Sequence, residues 1–432
     1  MKVEAPPLFR PNFGKYSSLV QSPDYHEFLK ETDKRYLYWS EVKRRPNLPF
    51  EKPEAAWELI KHHRTISGKW LVLGNHSFLY NVTNFIQKDL HLFDLNLIGG
   101  LYKDAITPQD QDEYFKTSLM DEAIASSQIE GAATTTHIAR EMIQSGRNPR
   151  NESEQMIVNN YAAIREITTR LDEPFSRDLI LDVHALMTSK TDASKYAGSF
   201  RDRAIYVQDH ITGDIAYTAP PFEEVDGLVA ELIAFINDQE DFIHPVVKAS
   251  MLHFLIGYIH PFGDGNGRTA RALFYWFLIK KGYSLLRHIS ISKAILESRT
   301  SYDKAFLHTE ADENDMTYFI MYSIKSLRGA FNSLVQYRDK KREQRNKATA
   351  LMYSLMGKGF SKRQSDLLGY LSAKPTATIS IPLYAKRHSI VRQTASRDLT
   401  ELESKGILVK AKDGKQVIFR LADAKKLAAL LP

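Results

Sequence analysis

The chain has 432 residues, 43% apolar and 25% charged, a globular composition with room for two or three cored domains and unlike that of a disordered segment. It holds no cysteine, which excludes disulfides, thiolate zinc sites and a cysteine nucleophile and fits a cytoplasmic location. The net charge of +6 joins two unlike parts: −7 over the first 335 residues and +13 from Gln336 to Pro432, so the two parts are expected to meet different partners. The opening MKVEAPPLFRP has no apolar signal core. The longest apolar run, Ala272 to Ile279, falls well short of the roughly 20 residues a membrane span needs, so no membrane partner is expected.

Residues 1–115 are expected to form a mostly helical N-terminal region. PDYHEFLKETDKRYLYWSEVKRR reads as a helix with aromatic anchors, whereas NHSFLYNVTNFIQKDLHLFDLNLI leaves helix and strand open. Between 116 and 335 the period is helical. YFKTSLMDEAIASSQIEG carries apolar residues at helical spacing and stops at Gly131. SEQMIVNNYAAIREITTRL and SRDLILDVHALMTSK continue in that period. AIYVQDHITGDIAYTAP alternates instead and has Thr212-Gly213 at its middle, which predicts a β-hairpin ended by Pro220-Pro221. FEEVDGLVAELIAFIND and HPVVKASMLHFLIGYI return to the helix, the second apolar nearly all round and therefore a buried central helix.

The central helix runs into HPFGDGNGRTAR, His260 to Arg271. Pro261 disfavours helical geometry in the residue before it, so His260 is expected at the helix exit, facing a loop mouth. Gly265, Asn266 and Gly267 let the backbone turn tightly and bring its amides close to an anion, at the N-terminus of the helix that resumes near Arg268. Arg268 and Arg271 are three apart and share a helical face, as a phosphate clamp requires. Asp264 supplies a hard oxygen ligand suited to Mg²⁺. Each feature alone has an ordinary explanation, as a turn, a surface charge or an exposed histidine. Their gathering in twelve residues between two apolar helices points to a site for a nucleoside triphosphate.

HPFGDGNGRTAR is similar to the signature of the Fic (filamentation induced by cAMP) family, H-x-F-x-D/E-G-N-G-R-x-x-R, with every fixed position present. The resemblance covers roughly residues 120–325. It implies a mainly α fold, a Fic-type helical core with a β-hairpin flap, and transfer of AMP from ATP to a Ser, Thr or Tyr hydroxyl of a protein target, auto-AMPylation included. His260 would be the general base. Phe262 would anchor the loop on the core, and Asp264 would hold Mg²⁺. The amides around Gly265, Asn266 and Gly267 would form the anion hole, with Asn266 also contacting phosphate; Gly263 would bind nucleotide, and Arg268 and Arg271 would neutralise the outer phosphates. A branch of the wider family with Lys at the first glycine of the Gly-Asn-Gly motif moves phosphate instead. Gly265 favours AMP transfer. Tyr302, beyond the motif helix, would stack on adenine or serve as a core tyrosine; His244 and His253 read as structural.

SSQIEG, Ser126 to Gly131, resembles the family's inhibitory helix, S/T-x-x-x-E-G/N, here at about 121–131. Ser126 and Glu130 lie four apart on one helical face. The resemblance implies that Glu130 pairs with Arg271 and keeps ATP from its productive pose. It also allows Glu130 to orient a water for AMP removal. The hairpin at about Ile205 to Tyr217 would hold a target segment by strand addition.

VQYRDKKREQRNK reads as a charged helix or linker, and the region 336–432 closes the chain as a linker and a small module. Three helices and a two-stranded wing turning at Asp413-Gly414 resemble a winged helix-turn-helix. Arg392, Gln393, Thr394 and Arg397 would face DNA from its recognition helix, with Lys412 and Lys415 in the wing. The same module would serve dimerisation or target docking, and a homodimer is allowed. Two readings of the whole follow: an autoinhibited protein adenylyltransferase using ATP and Mg²⁺, or a nucleotide-sensing DNA-binding regulator. An intact His260 favours the enzyme.

Overall fold

In a computed structural model of the chain, residues 3–10, 13–98, 108–208, 213, 215–374, 376–413 and 416–423 are described. Two helices dominate the core. The central helix, Pro245–Ile259, is capped by the His244 imidazole, which accepts from the Val246 N–H at 3.2 Å, and carries Pro245 in its first turn, where no amide partner is needed. Its buried residues run almost all round, as its uninterrupted apolar sequence demands. The motif helix, Asn266–Lys280, packs against it and is equally buried, so the short loop between them is held by two rigid elements.

The helix Pro108–Ile129 lies against Glu152–Ile167 and Ile291–Glu297. It ends as the sequence predicts: Gly131 takes φ +95°, the Ala132 N–H reaches the Ser127 carbonyl at 3.0 Å and the Gly131 N–H reaches Gln128 at 3.1 Å, a Schellman stop. Arg177–Thr188 packs on the motif helix and Val225–Asn237 on the central helix. The expected hairpin is present as Tyr206–Gln208 paired antiparallel with Ile215–Thr218, with a register shift between Val207 and Gln208. Gly213 of its turn is described; Thr212 lies outside the described residues.

The N-terminal region differs from expectation in two ways. The single helix expected from Pro23 breaks into Pro23–Arg35 and Trp39–Val42, because Tyr36 adopts the left-handed conformation (φ 48°). Its buried hydroxyl donates to Asp315 at 2.7 Å, and its ring carries the Arg64 guanidinium at 3.6 Å. The ambiguous stretch resolves into a strand, His76–Tyr80, paired with Lys69–Leu73, and then a helix, Asn84–Leu97. Residues 1–115 are not a unit of their own. The described residues among them cluster with the core, and Lys61 forms a buried ion pair with Asp312 at 2.9 Å.

The second compact unit starts at Val335, within the helix Thr317–Gly357, so the charged stretch is helical. It contains helices Lys362–Ala373, Ile381–His388 and Arg392–Ser404. Three antiparallel strands follow the spatial order Ile379–Ser380, Gln416–Leu421, Leu408–Asp413. Leu355, Leu367, Leu371, Tyr384, Leu399, Leu402 and Phe419 form its own core. Gly414 and Lys415 lie outside the described residues. Among the described residues no helix is long and apolar enough to cross a membrane.

Candidate active site

His260 ends the central helix in the left-handed conformation (φ 50°), its N–H still reaching the Ile256 carbonyl at 3.0 Å. Its Nδ1 lies 3.1 Å from the Gly257 carbonyl. A carbonyl only accepts, so Nδ1 carries the proton and Nε2 is left as the basic nitrogen. Burial pushes the imidazole below its ordinary value, against the opposing pull of the Gly257 carbonyl and Glu130, so the basic form prevails at neutral pH.

The loop is braced from three sides. Phe262 is fully buried and stacks on His184 at 3.6 Å. His184 Nδ1 accepts the Gly198 N–H at 3.2 Å, which leaves Nε2–H to donate to the Asp264 carbonyl at 2.9 Å. Burial lowers His184 to about 4, so it stays neutral and keeps this donor role. Asn266 accepts from the Phe262 N–H at 2.9 Å and donates to the Phe262 carbonyl at 2.8 Å. Its side chain therefore staples the loop, where a phosphate contact was expected; its place at the helix N-terminus remains.

Arg201 supplies the third brace. Its Nε donates to the His260 carbonyl at 2.8 Å, its Nη1 to Arg203, its Nη2 to Pro220 and Ile259, and its N–H to the Pro261 carbonyl at 2.8 Å. It ties the loop to the base of the hairpin. Sequence reading missed both Arg201 and His184: their contacts span 59 and 80 residues, and no spacing within a helix or strand announces them.

Glu130 follows directly on the helix Pro108–Ile129 and places its carboxylate over the N-terminus of the motif helix. Arg271 Nη2 donates to Glu130 Oε1 at 3.0 Å and to the Ser126 carbonyl at 2.8 Å, and Arg271 Nε donates to Ser126 Oγ at 2.9 Å. The arginine side chain is 2% exposed and the glutamate 28%. Burial alone would raise the Glu130 carboxyl, but Arg271, Arg268 and Arg299 outweigh it and hold the group below its usual range. Arg271 Nη1 and Arg268 Nε are buried without a hydrogen-bond partner among the described residues. Arg268 otherwise donates to the Met187 carbonyl at 3.1 Å and to Asp264 Oδ2 at 3.4 Å.

Asp264 is half exposed, its Oδ1 accepting the Gly265 N–H at 2.5 Å. No group of three or more His, Asp or Glu side chains fit to hold a metal exists among the described residues. One open carboxylate beside Arg268 fits a Mg²⁺ that takes its other ligands from phosphate and water.

The structure thus brings His260, Gly263, Asp264, Gly265, Asn266, Gly267, Arg268, Arg271, Ser126 and Glu130 together. Tyr302 is not among the open residues. It is buried, its hydroxyl 2.9 Å from His253 Nε2 and its ring set among Phe306, Phe319 and Tyr322. The adenine-stacking role gives way to the core role, since an enclosed ring offers no open face. Arg392, Gln393 and Arg397 are exposed in the second unit, while Thr394 is half-buried.

Residues 174–278 match the model of the Fic/DOC family. Over 222 residues the chain is 28% identical to the protein adenylyltransferase fic-1 of Caenorhabditis briggsae, covering 50% of this chain and 40% of the relative. It is 25% identical to the protein adenylyltransferase Fic of Nematostella vectensis over 209 residues, 46% of this chain and 44% of the relative. The chain therefore spans less than half the length of either. Its fold is similar to that of a Fic family protein from Desulfovibrio desulfuricans G20, with a TM-score of 0.55 at 18% identity over 78% of this chain and 94% of that one. Fic-1 from C. elegans gives a TM-score of 0.53 at 18% identity over 75% and 92%. The signature loop and the family match over it identify a Fic/DOC-family domain at residues 174–278, and the helical architecture around it is similar to that of solved Fic proteins.

Proposed function

We propose that this chain is a protein adenylyltransferase, held in check by Glu130, that moves AMP from ATP to a Ser, Thr or Tyr hydroxyl of a protein. The observation that carries this reading is the 3.1 Å contact of His260 Nδ1 with the Gly257 carbonyl, which assigns the ring proton to Nδ1. Nδ1–H is tied to Gly257, and Nε2 stands bare at the mouth of a loop whose amides and arginines suit a polyphosphate. His260 Nε2 takes the hydroxyl proton as the hydroxyl oxygen bonds to the α-phosphorus. The bond from that phosphorus to the bridging oxygen breaks, and diphosphate leaves. The backbone at Gly265, Asn266 and Gly267 faces the anion, and Arg268 and Arg271 balance the charge on the outer phosphates. Mg²⁺, held by Asp264 when bound, would supply charge neutralisation on the phosphates.

The hairpin offers the target a strand edge, with Tyr206 and Ile215 more than half exposed beside it. Glu130 opposes the reaction by occupying Arg271 and the cradle above Gly267. The test is Glu130→Gly protein with Mg²⁺ and ATP labelled at either the α- or the γ-phosphorus. Covalent label from the α position alone supports AMP transfer; label from the γ position alone, or from neither, overturns it.

A second reading concerns residues 335–432. The helix pair Ile381–His388 and Arg392–Ser404, followed by two paired strands, has the order of a winged helix-turn-helix, and Arg392, Gln393 and Arg397 are exposed on the second helix. With a balance of +13 from Gln336 onward, DNA is the partner this unit suits. A mobility shift that weakens with salt supports it, and no shift at low salt contradicts it.

A further inference from the structure

The helix that carries Glu130 ends on two arginines, and only one of them belongs to the signature. Its last carbonyls have no partners within the helix and must find them elsewhere. The turn at Gly131 satisfies Ser127 and Gln128. Arg271 satisfies Ser126. The carbonyl of Ile129, adjacent to Glu130, is satisfied by Arg299 Nη1. Arg299 is itself oriented by Asp303, which accepts from its Nε at 2.9 and 3.2 Å. Two cations thus converge on the negative end of one helix dipole, and both act on the Glu130 carboxylate. Arg299 opens the helix Arg299–Ala311, separated by one residue from the helix Ile291–Glu297, against which the helix Pro108–Ile129 packs.

We infer that Arg299 is a positioning residue for the brake: it fixes the end of the inhibitory helix, and Asp303 fixes Arg299. The inference rests on the autoinhibited-transferase reading above. For Arg271 to receive a phosphate, Glu130 must leave Gly267, and the helix end must give with it. The hydrogen bond from Arg299 to Ile129 resists that motion without touching the reacting atoms. Weakening it favours the released state, whereas an arginine that bound nucleotide would lower activity when removed.

The experiment is a double-mutant cycle read by α-labelled ATP: wild type, Arg299→Ala, Glu130→Gly and the double variant, with Asp303→Asn as a milder fifth protein. Arg299→Ala should raise labelling about tenfold or more over wild type, the scale of one hydrogen bond to a charged group. Asp303→Asn should raise it less, and Arg299→Ala should add nothing to Glu130→Gly. Unchanged or reduced labelling in both Arg299→Ala and Asp303→Asn overturns the inference, as does a loss in the double variant relative to Glu130→Gly. A circular-dichroism melt of each protein identifies loss of folding, in which case Asp303→Asn decides. Absence of label in Glu130→Gly itself is failure of the transferase reading, a distinct outcome.

Discussion

Glu130 occupies the space a side chain on Gly267 would need: a β-carbon built there would lie 2.3 Å from Glu130 Oε1 and 3.0 Å from Arg271 Nη1. On the proposed function, brake and anion cradle would share this volume and compete for Arg271. The competition has two parts, charge and bulk, which separate by substitution. Glu130→Gln keeps the bulk and loses the ion pair, so its transfer rate should fall between wild type and Glu130→Gly. Initial rates of labelling check this. A Gln variant as active as the Gly variant would mean that bulk contributes nothing.

The braces around the loop should be visible in pH-dependent stability. His184 and His253 are lowered by burial to about 4 and about 3, against 6.5 in an unfolded chain. The unfolded chain then binds protons that the folded chain refuses, so stability rises with pH. It is complete above about 6.5 and is lost progressively as pH falls from there towards the folded values. His184→Gln retains a donor for the Asp264 carbonyl without titrating. Its melting midpoint should fall less than that of wild type between pH 7.5 and pH 5, and an equal fall would remove His184 from the account.

Arg201 holds the carbonyls of His260, Arg203, Pro220 and Ile259 with one guanidinium. Arg201→Ala leaves these unpaired, at about 1–3 kcal/mol for each that stays buried. It also frees His260 to drift, and misplacement of a catalytic group by about 1 Å costs on the order of 10²-fold. In a Glu130→Gly background the variant should lose kcat while nucleotide affinity holds, because Arg201 faces the loop backbone and not the cradle. Steady-state kinetics with calorimetric ATP binding separate the two; a loss of affinity alone would contradict the assignment.

For the second unit, Arg397→Ala should weaken DNA binding, and the slope of log affinity against log salt should shrink by about one if Arg397 meets a phosphate. Fluorescence anisotropy over a salt series gives both quantities. An unchanged slope and affinity would remove Arg397 from the interface.

The parts of the site that were legible in the sequence are those that lie within one turn of helix or one loop. His260 to Arg271 is contiguous, and Ser126 and Glu130 share a helical face, so spacing carries their geometry. Arg201, His184 and Arg299 reach the site across 59, 80 and 170 residues, where no local pattern reports a contact. Tyr302 was ambiguous because an aromatic residue on a helix reads alike as core or as platform. Its burial against His253 is a tertiary fact. The long helix expected from Pro23 failed for a similar reason: Tyr36 gives up helical geometry to reach Asp315 across 279 residues. The helix Pro245–Ile259, apolar nearly all round, was legible because burial on all sides leaves little else for that sequence to do.

The central claim is that His260 acts as base in a transfer restrained by Glu130. The most direct test is incubation with Mg²⁺ and α-labelled ATP, plus cell lysate as a source of targets, of wild type, Glu130→Gly, and Glu130→Gly with His260→Ala. The account predicts faint label with wild type, strong label with Glu130→Gly, and a drop of about 10²–10⁴-fold when His260 is also lost. Label that survives the loss of His260, or none from any of the three, would contradict it.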